Sequence, residues 1–259
     1  MTASFRTHLN YIKHLKKLFS GCEMTVCFGS GQRRISDMRR FWKLYELTHR
    51  SIQKDIELAN EDQAFALIAA PWFPVKCYYA LYYLETILSH LIDGSMSGFG
   101  KAGHTGIRKK VAALVTNGQV TFSEEHLNTV LMLNQIRFIP KISAGQNTRN
   151  DFWEKSECTG SVSRKLMEYK LHDLGKIYDF RTKKGRDAKK VYIDNESLMM
   201  TDFFYWYRIK ANYRDLDYID FENGMNEYEV HEYMSCYFDV FEMYRVLLVR
   251  EISKKFTSS

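Results

Sequence analysis

The stretch RIKANYRDLDYID, residues 208–220, gathers two arginines, two tyrosines and three aspartates into a segment that reads as helix. A guanidinium stabilises negative charge on a phosphate, and a phenol can donate a hydrogen bond to one. Tyr213 is a poor base at neutral pH, because an unperturbed phenol with a pKa of about 10 stays protonated. The alternative reading is structural: Arg208 and Arg214 pair with nearby carboxylates, among them Asp215 and Asp217, while Tyr213 packs at a core edge.

Charge is concentrated nearby. RTKKGRDAKKV (181–191) carries Arg181, Lys183, Lys184, Arg186, Lys189 and Lys190 against Asp187, whereas residues 215–232 carry seven acids and no Lys or Arg. Such runs are most often solvated faces, and a basic one also suits a nucleic-acid strand. The net charge of +6 and pI near 8.9 permit an anionic partner without naming it.

Three other stretches bear on chemistry. GSMSGFGKAGHTG (94–106) lacks the spacing of a phosphate-binding P-loop, since Ser95 and Ala102 occupy the places of its first Gly and its Ser or Thr. A Gly-rich helix connection is the better reading. In VCFGSGQRRISDM (26–38), Gly29 and Ser30 resemble the opening of minimal nucleotidyltransferases, but Arg39 stands where their second acid would be. LHDLGK (171–176) is similar to the His-Asp core of the HD-domain phosphohydrolases. That resemblance implies a divalent metal held by His172 and Asp173 with an upstream His, for which His126 is the nearest candidate, and a downstream acid among Asp202, Asp215 and Asp239.

Positioning these groups falls to helices. Three prolines in 259 residues, 15% aromatic and 45% hydrophobic composition leave long uninterrupted segments with ample area to bury. From Ser36 or Asp37 as cap, Phe41, Leu44, Thr48, Ile52 and Ile56 recur at helical spacing towards Ala70. PWFP (71–74) ends that helix and opens a second, antiparallel to it, striped by Leu81, Leu84, Leu88 and Leu91. GIRKKVAALV and SEEHLNTVLMLNQIRFI predict two more, the latter capped by Ser123. Residues 140–197 read as an irregular insertion or small subdomain in which RKLMEYKLHDLGKIYDF alone is periodic. SLMMTDFFYWYRIKANY and a last helix striped by Val230, Met234, Tyr237, Phe241, Tyr244 and Leu248 close the chain. Five scattered cysteines without CxxC spacing predict reduced thiols, and no segment has the length or apolarity of a signal or membrane span. The expectation is a soluble, cytoplasmic protein.

With this order in place, the chain resembles the HEPN superfamily, α-helical domains that include toxin and antiviral ribonucleases. YYALYYLETIL (78–88), GHTGIRKKV (103–111) and RIKANY (208–213) follow in the family's order. The resemblance implies an all-α, HEPN-like helical bundle: residues 1–35 are an N-terminal extension, 36–139 its first part, 140–197 the insertion and 198–259 the completing helices. It also implies metal-free RNA cleavage in which an Arg stabilises phosphate charge and a His four to six positions later promotes attack by the 2′-hydroxyl. Arg208 matches the arginine, Ile209 departs from the polar residue that usually follows it, and Tyr213 stands in the place of the histidine. Five positions separate the two side chains by about 140° around a straight helix, so joint action needs a bend or a dimer-related partner. Of the other histidines, His104 falls in a family-like segment.

The expected partners are RNA or a nucleotide, held by Arg208, Tyr213, Arg214 and the basic 181–191 segment, together with a protein such as an antitoxin and a second copy of the chain. No cofactor is expected, save a divalent metal under the HD-type alternative. A silent HEPN-like module that binds a protein or nucleotide remains open.

Overall fold

The computed structural model describes residues 3–29, 35–93, 103–136, 155–213 and 227–256, and over these the fold is all-α. The helices are α1 (Ala3–Phe19), α2 (Ile35–Glu61), α3 (Gln63–Ala69), α4 (Phe73–Asp93), α5 (His104–Thr116), α6 (Glu125–Asn128), α7 (Leu133–Ile136), α8 (Lys155–Ile177), α9 (Lys183–Asn195), α10 (Asp202–Tyr213) and α11 (Glu227–Phe256). Four short strands, β1 (Met24–Val26), β2 (Val120–Phe122), β3 (Leu131–Met132) and β4 (Ser197–Leu198), form the antiparallel pairs β1–β2 and β3–β4.

Helix α4 is apolar nearly all round, as a helix surrounded by others must be. Its stripe of Leu81, Leu84, Leu88 and Leu91 is buried, as is the α11 stripe from Val230 to Leu248. Paired contacts give the directions. Lys76 meets Asp55 at 2.6 Å while the rings of Tyr83 and Phe41 lie 5.8 Å apart, so α2 and α4 run antiparallel. Helix α11 runs antiparallel to α2, because His231 contacts Asn60 while Glu242 contacts His49. Tyr244 reaches Glu85 on α4, and Phe203 and Phe204 of α10 pack on Tyr237. Burial of these aromatics is the main adhesive, each contributing roughly 1.5–3 kcal/mol on full burial.

Several elements differ from the sequence expectation. The helix expected to run from Ser36 to Ala70 begins at Ile35 and breaks at Asp62, whose carboxylate accepts the Ala64 N–H at 3.0 Å and caps α3. Residues within the presumed N-terminal extension form α1, which inserts Ile12, Leu15, Leu18 and Phe19 into the core. The single helix expected after Ser123 is replaced by α6, β3 and α7. Ser123 accepts the Glu23 N–H at 2.8 Å, beside the β1–β2 pairing that takes up Val120–Phe122. Residues 140–197, expected to be irregular apart from one periodic stretch, contain α8 and α9. Among the described residues no single helix is long and apolar enough to cross a membrane.

Candidate functional site

Three elements converge around Arg208. The first half of α4 presents Tyr78, Tyr79 and Tyr82; residues one and four positions apart share this end of the helix, and Tyr78 and Tyr82 are both buried. Helix α5 starts at His104, preceded by Gly103 in an extended conformation that offers no side-chain cap, with no acid in the first turn. Helix α10 brings Tyr205 and Arg208, one turn apart.

Arg208 is only 8% exposed. Its guanidinium carbon lies 5.0 Å from the Tyr78 ring centroid, 5.3 Å from Tyr205 and 5.8 Å from Tyr79, and its Nη1 donates to Tyr79 Oη at 3.4 Å. Its Nε is buried with no hydrogen-bond partner, and among the described residues no carboxylate pairs with it. Among the described residues the ring faces supply the attraction, of the order of 0.5–2 kcal/mol per cation–π contact. A buried arginine that meets only aromatic rings among the described residues is suited to take an anion.

His104 stands against the same rings, with centroid separations of 4.6 Å to Tyr82 and 5.4 Å to both Tyr78 and Tyr79. Its Nδ1 lies 2.9 Å from Tyr78 Oη. Burial, and then the charge of Arg208, lower its pKa below the usual histidine value. Burial pushes the Tyr78 phenol well above its usual range, so that group stays protonated. When Nδ1–H donates to Tyr78 Oη, the Nε2 lone pair is left to accept a proton.

Behind the cluster lies a charged frame. Arg108 Nε and Nη2 each reach an Asp202 carboxylate oxygen at 2.6 Å, a buried two-pronged pair joining α5 to α10. The Arg108 guanidinium carbon is 4.3 Å from the Tyr205 ring centroid, so the frame fixes the ring against which Arg208 leans. Lys170 of α8, 1% exposed, donates to the Ser197 carbonyl at 2.5 Å and lies 3.4 Å from Glu196 and 4.0 Å from Asp202. Glu85 accepts the Tyr244 O–H at 3.0 Å, and burial pushes its carboxyl up to about 7. A cavity of about 10 Å³, the size of one water, sits among Tyr78, Glu85, Arg108, Thr201, Asp202 and Tyr205.

The other residues singled out from sequence are placed as follows. Tyr213 ends α10, its side chain lies outside the described residues, and so does Arg214. Arg181 lies just before α9, and Lys183, Lys184, Arg186, Lys189 and Lys190 lie on it; all are exposed except Lys189, which is half-buried. His172 and Asp173 lie on α8 and His126 on α6, and no group of three or more His, Cys, Asp and Glu among the described residues is arranged to hold a metal ion. Sequence reasoning had noted His104 only by its place in a segment. Tyr79, Tyr82, Tyr205 and Arg108 were quoted only within longer segments, and Asp202 only as a candidate metal ligand, so the Arg108–Asp202 pair was not foreseen; Arg108 falls four residues after His104, on the same helix face, which was the available signal. Comparison with family models, curated proteins and solved structures finds no match.

Proposed function

We propose that this chain is an RNA-directed, ribonuclease-like protein of HEPN type, in which Arg208 holds the phosphodiester and His104, instead of a histidine on the arginine's own helix, acts as general base. The observation that carries this reading is the pairing of a buried arginine lacking a carboxylate partner, among the described residues, with an imidazole kept neutral by burial and by that arginine. Neutral imidazole is the state a base requires.

His104 Nε2 takes the proton of a ribose 2′-hydroxyl, whose oxygen attacks phosphorus as the bond to the 5′-oxygen breaks. The leaving oxygen is protonated from water, giving a 2′,3′-cyclic phosphate and a 5′-hydroxyl. Arg208 stabilises the charge that builds on the non-bridging oxygens, and the Tyr78 hydrogen bond orients the imidazole. The family resemblance extends the proposal to a cytoplasmic homodimer acting in antiviral defence or with an antitoxin.

The test is incubation of purified protein with end-labelled mixed RNAs in chelator, beside Arg208→Ala and His104→Ala. Cleavage leaving cyclic phosphate ends, abolished in both variants, is the expected result. Cleavage that survives His104→Ala removes the base assignment. No cleavage by folded wild-type protein reduces the cluster to a phosphate-binding site.

A further inference from the structure

The turn between α8 and α9 builds a second feature. Gly185, in the first turn of α9, lies so close to the Asp179 carbonyl that a Cβ there would sit 1.9 Å from the oxygen, which brings α9 tightly back onto the turn. Gly175 does the same for Phe180: a Cβ there would meet the Phe180 ring at 3.3 Å, so its absence lets the ring lie along the end of α8. Beside Gly175 lies a shallow cavity of about 370 Å³, open to solvent and lined by Leu171, His172, Gly175, Lys176 and Phe180.

The lining joins the apolar Leu171 and Phe180 to His172 and Lys176, and the basic residues of α9 follow Phe180 in the chain. Lys189 Nζ stands 5.2 Å from the Phe180 ring centroid, and Ile177, beside the cavity, is 75% exposed. Asp179 is engaged by Arg181, and Asp173 lies 3.9 Å from Lys176. Among the described residues, Lys183, Lys184, Arg186 and Lys190 have no carboxylate partner. Lys183 and Lys184 moreover lie in the first turn of α9, the end at which a helix disfavours cations. An aromatic wall beside unneutralised cations suits one chemistry, a flat base joined to phosphates.

We propose that this cavity takes the base of an unpaired nucleotide against Phe180, with the flanking phosphates of single-stranded RNA on α9. The ligand class rests on the RNA reading of the Arg208 cluster; the cavity and its charge do not depend on it. The site gives the strand a second anchor, read through a base face and therefore tolerant of sequence.

The test is fluorescence anisotropy with a labelled ten-nucleotide oligouridylate and an abasic ribose-phosphate oligomer of the same length, using wild-type protein and Arg208→Ala. Both proteins are expected to bind the base-bearing oligomer about tenfold more tightly, a preference that Phe180→Ala and the gentler Phe180→Leu abolish, whereas Lys183→Ala with Lys184→Ala weakens both oligomers alike. Equal binding of the two oligomers by wild-type protein, or a folded Phe180→Leu that keeps the preference, overturns the proposal. A base preference in protein that cleaves nothing supports this site while removing the ribonuclease reading.

Discussion

The Arg208 guanidinium and the His104 imidazole stand against the same two rings, Tyr78 and Tyr79, from helices remote in sequence: 5.0 and 5.8 Å for the arginine, 5.4 Å for the histidine in both cases. The shared rings bury Arg208, partly cover His104 and bring the two groups together. The charge of Arg208 therefore bears on the protonation of His104, and the direction of that effect can be measured.

The first prediction concerns His104. Its pKa is lowered by burial and by Arg208, so the neutral form is favoured in the folded state and cleavage is expected to rise with pH through a midpoint below about 6.5 and then level off. The stability this group contributes is present above about 6.5 and lost as pH falls through the folded value. In Arg208→Gln one of the two causes is gone, and the midpoint moves upward. Titration of the imidazole resonances by NMR reads both values; a midpoint unchanged by the substitution sinks the coupling.

The frame behind the site gives the second. Asp202→Ala leaves Arg108 and Lys170 facing each other in a nearly dry interior, and the loss of one partner from such a pair costs about 3–5 kcal/mol. The double variant Arg108→Met with Asp202→Leu is expected to recover more than half of that loss, because no buried charge is then left uncompensated. Urea unfolding of the three proteins decides it. Equal destabilisation by single and double variants would mean that the pair acts through packing instead of charge.

How far the sequence disclosed this arrangement depends on the range of the signal. The α4 and α11 stripes are local patterns, and a helix with Leu81, Leu84, Leu88 and Leu91 on one side has few other ways to bury them. The break at Asp62 was equally local, a capping residue inside an amphipathic pattern, and periodicity overrode it. The β1–β2 pairing was beyond reach, since Met24 and Phe122 are joined only by the tertiary fold. Arg208 stood out through a motif. His104 acquires its proposed role from a contact no spacing rule connects, because α5 is carried to α10 by packing on α4 and by the Arg108–Asp202 pair.

Gly185 supplies the third prediction. Its φ is unremarkable, and what demands glycine is the approach of the Asp179 carbonyl, 1.9 Å from where a Cβ would be and 3.0 Å from there to the Phe180 nitrogen. Gly185→Ala therefore pushes α9 off the turn, at a cost of about 1–3 kcal/mol. Hydrogen exchange is expected to accelerate over 179–190, with α4 and α11 unchanged. Uniform protection across the chain would show that the turn yields without displacing α9.

The last prediction uses Glu85, whose carboxyl burial lifts to about 7, against the opposing pull of the Tyr244 hydrogen bond. An unfolded glutamate titrates near 4.3. Because the folded value is the higher, the folded chain binds the extra proton between these limits. The stability this provides is complete below about 4.3 and is lost as pH rises through about 7. Glu85→Gln removes the titration but keeps an oxygen able to accept from Tyr244, so any packing cost of the amide is the same at every pH. The difference in urea midpoint, variant minus wild type, is therefore expected to grow between pH 5 and pH 8 and to level off above. Differencing cancels the other groups that titrate over this range, Glu85 being the one that differs. A gap that stays constant from pH 5 to pH 8 would place the Glu85 carboxylate, already ionised at pH 5, in surroundings far more polar than the Tyr244 hydrogen bond and the nearby charge of Arg108 provide.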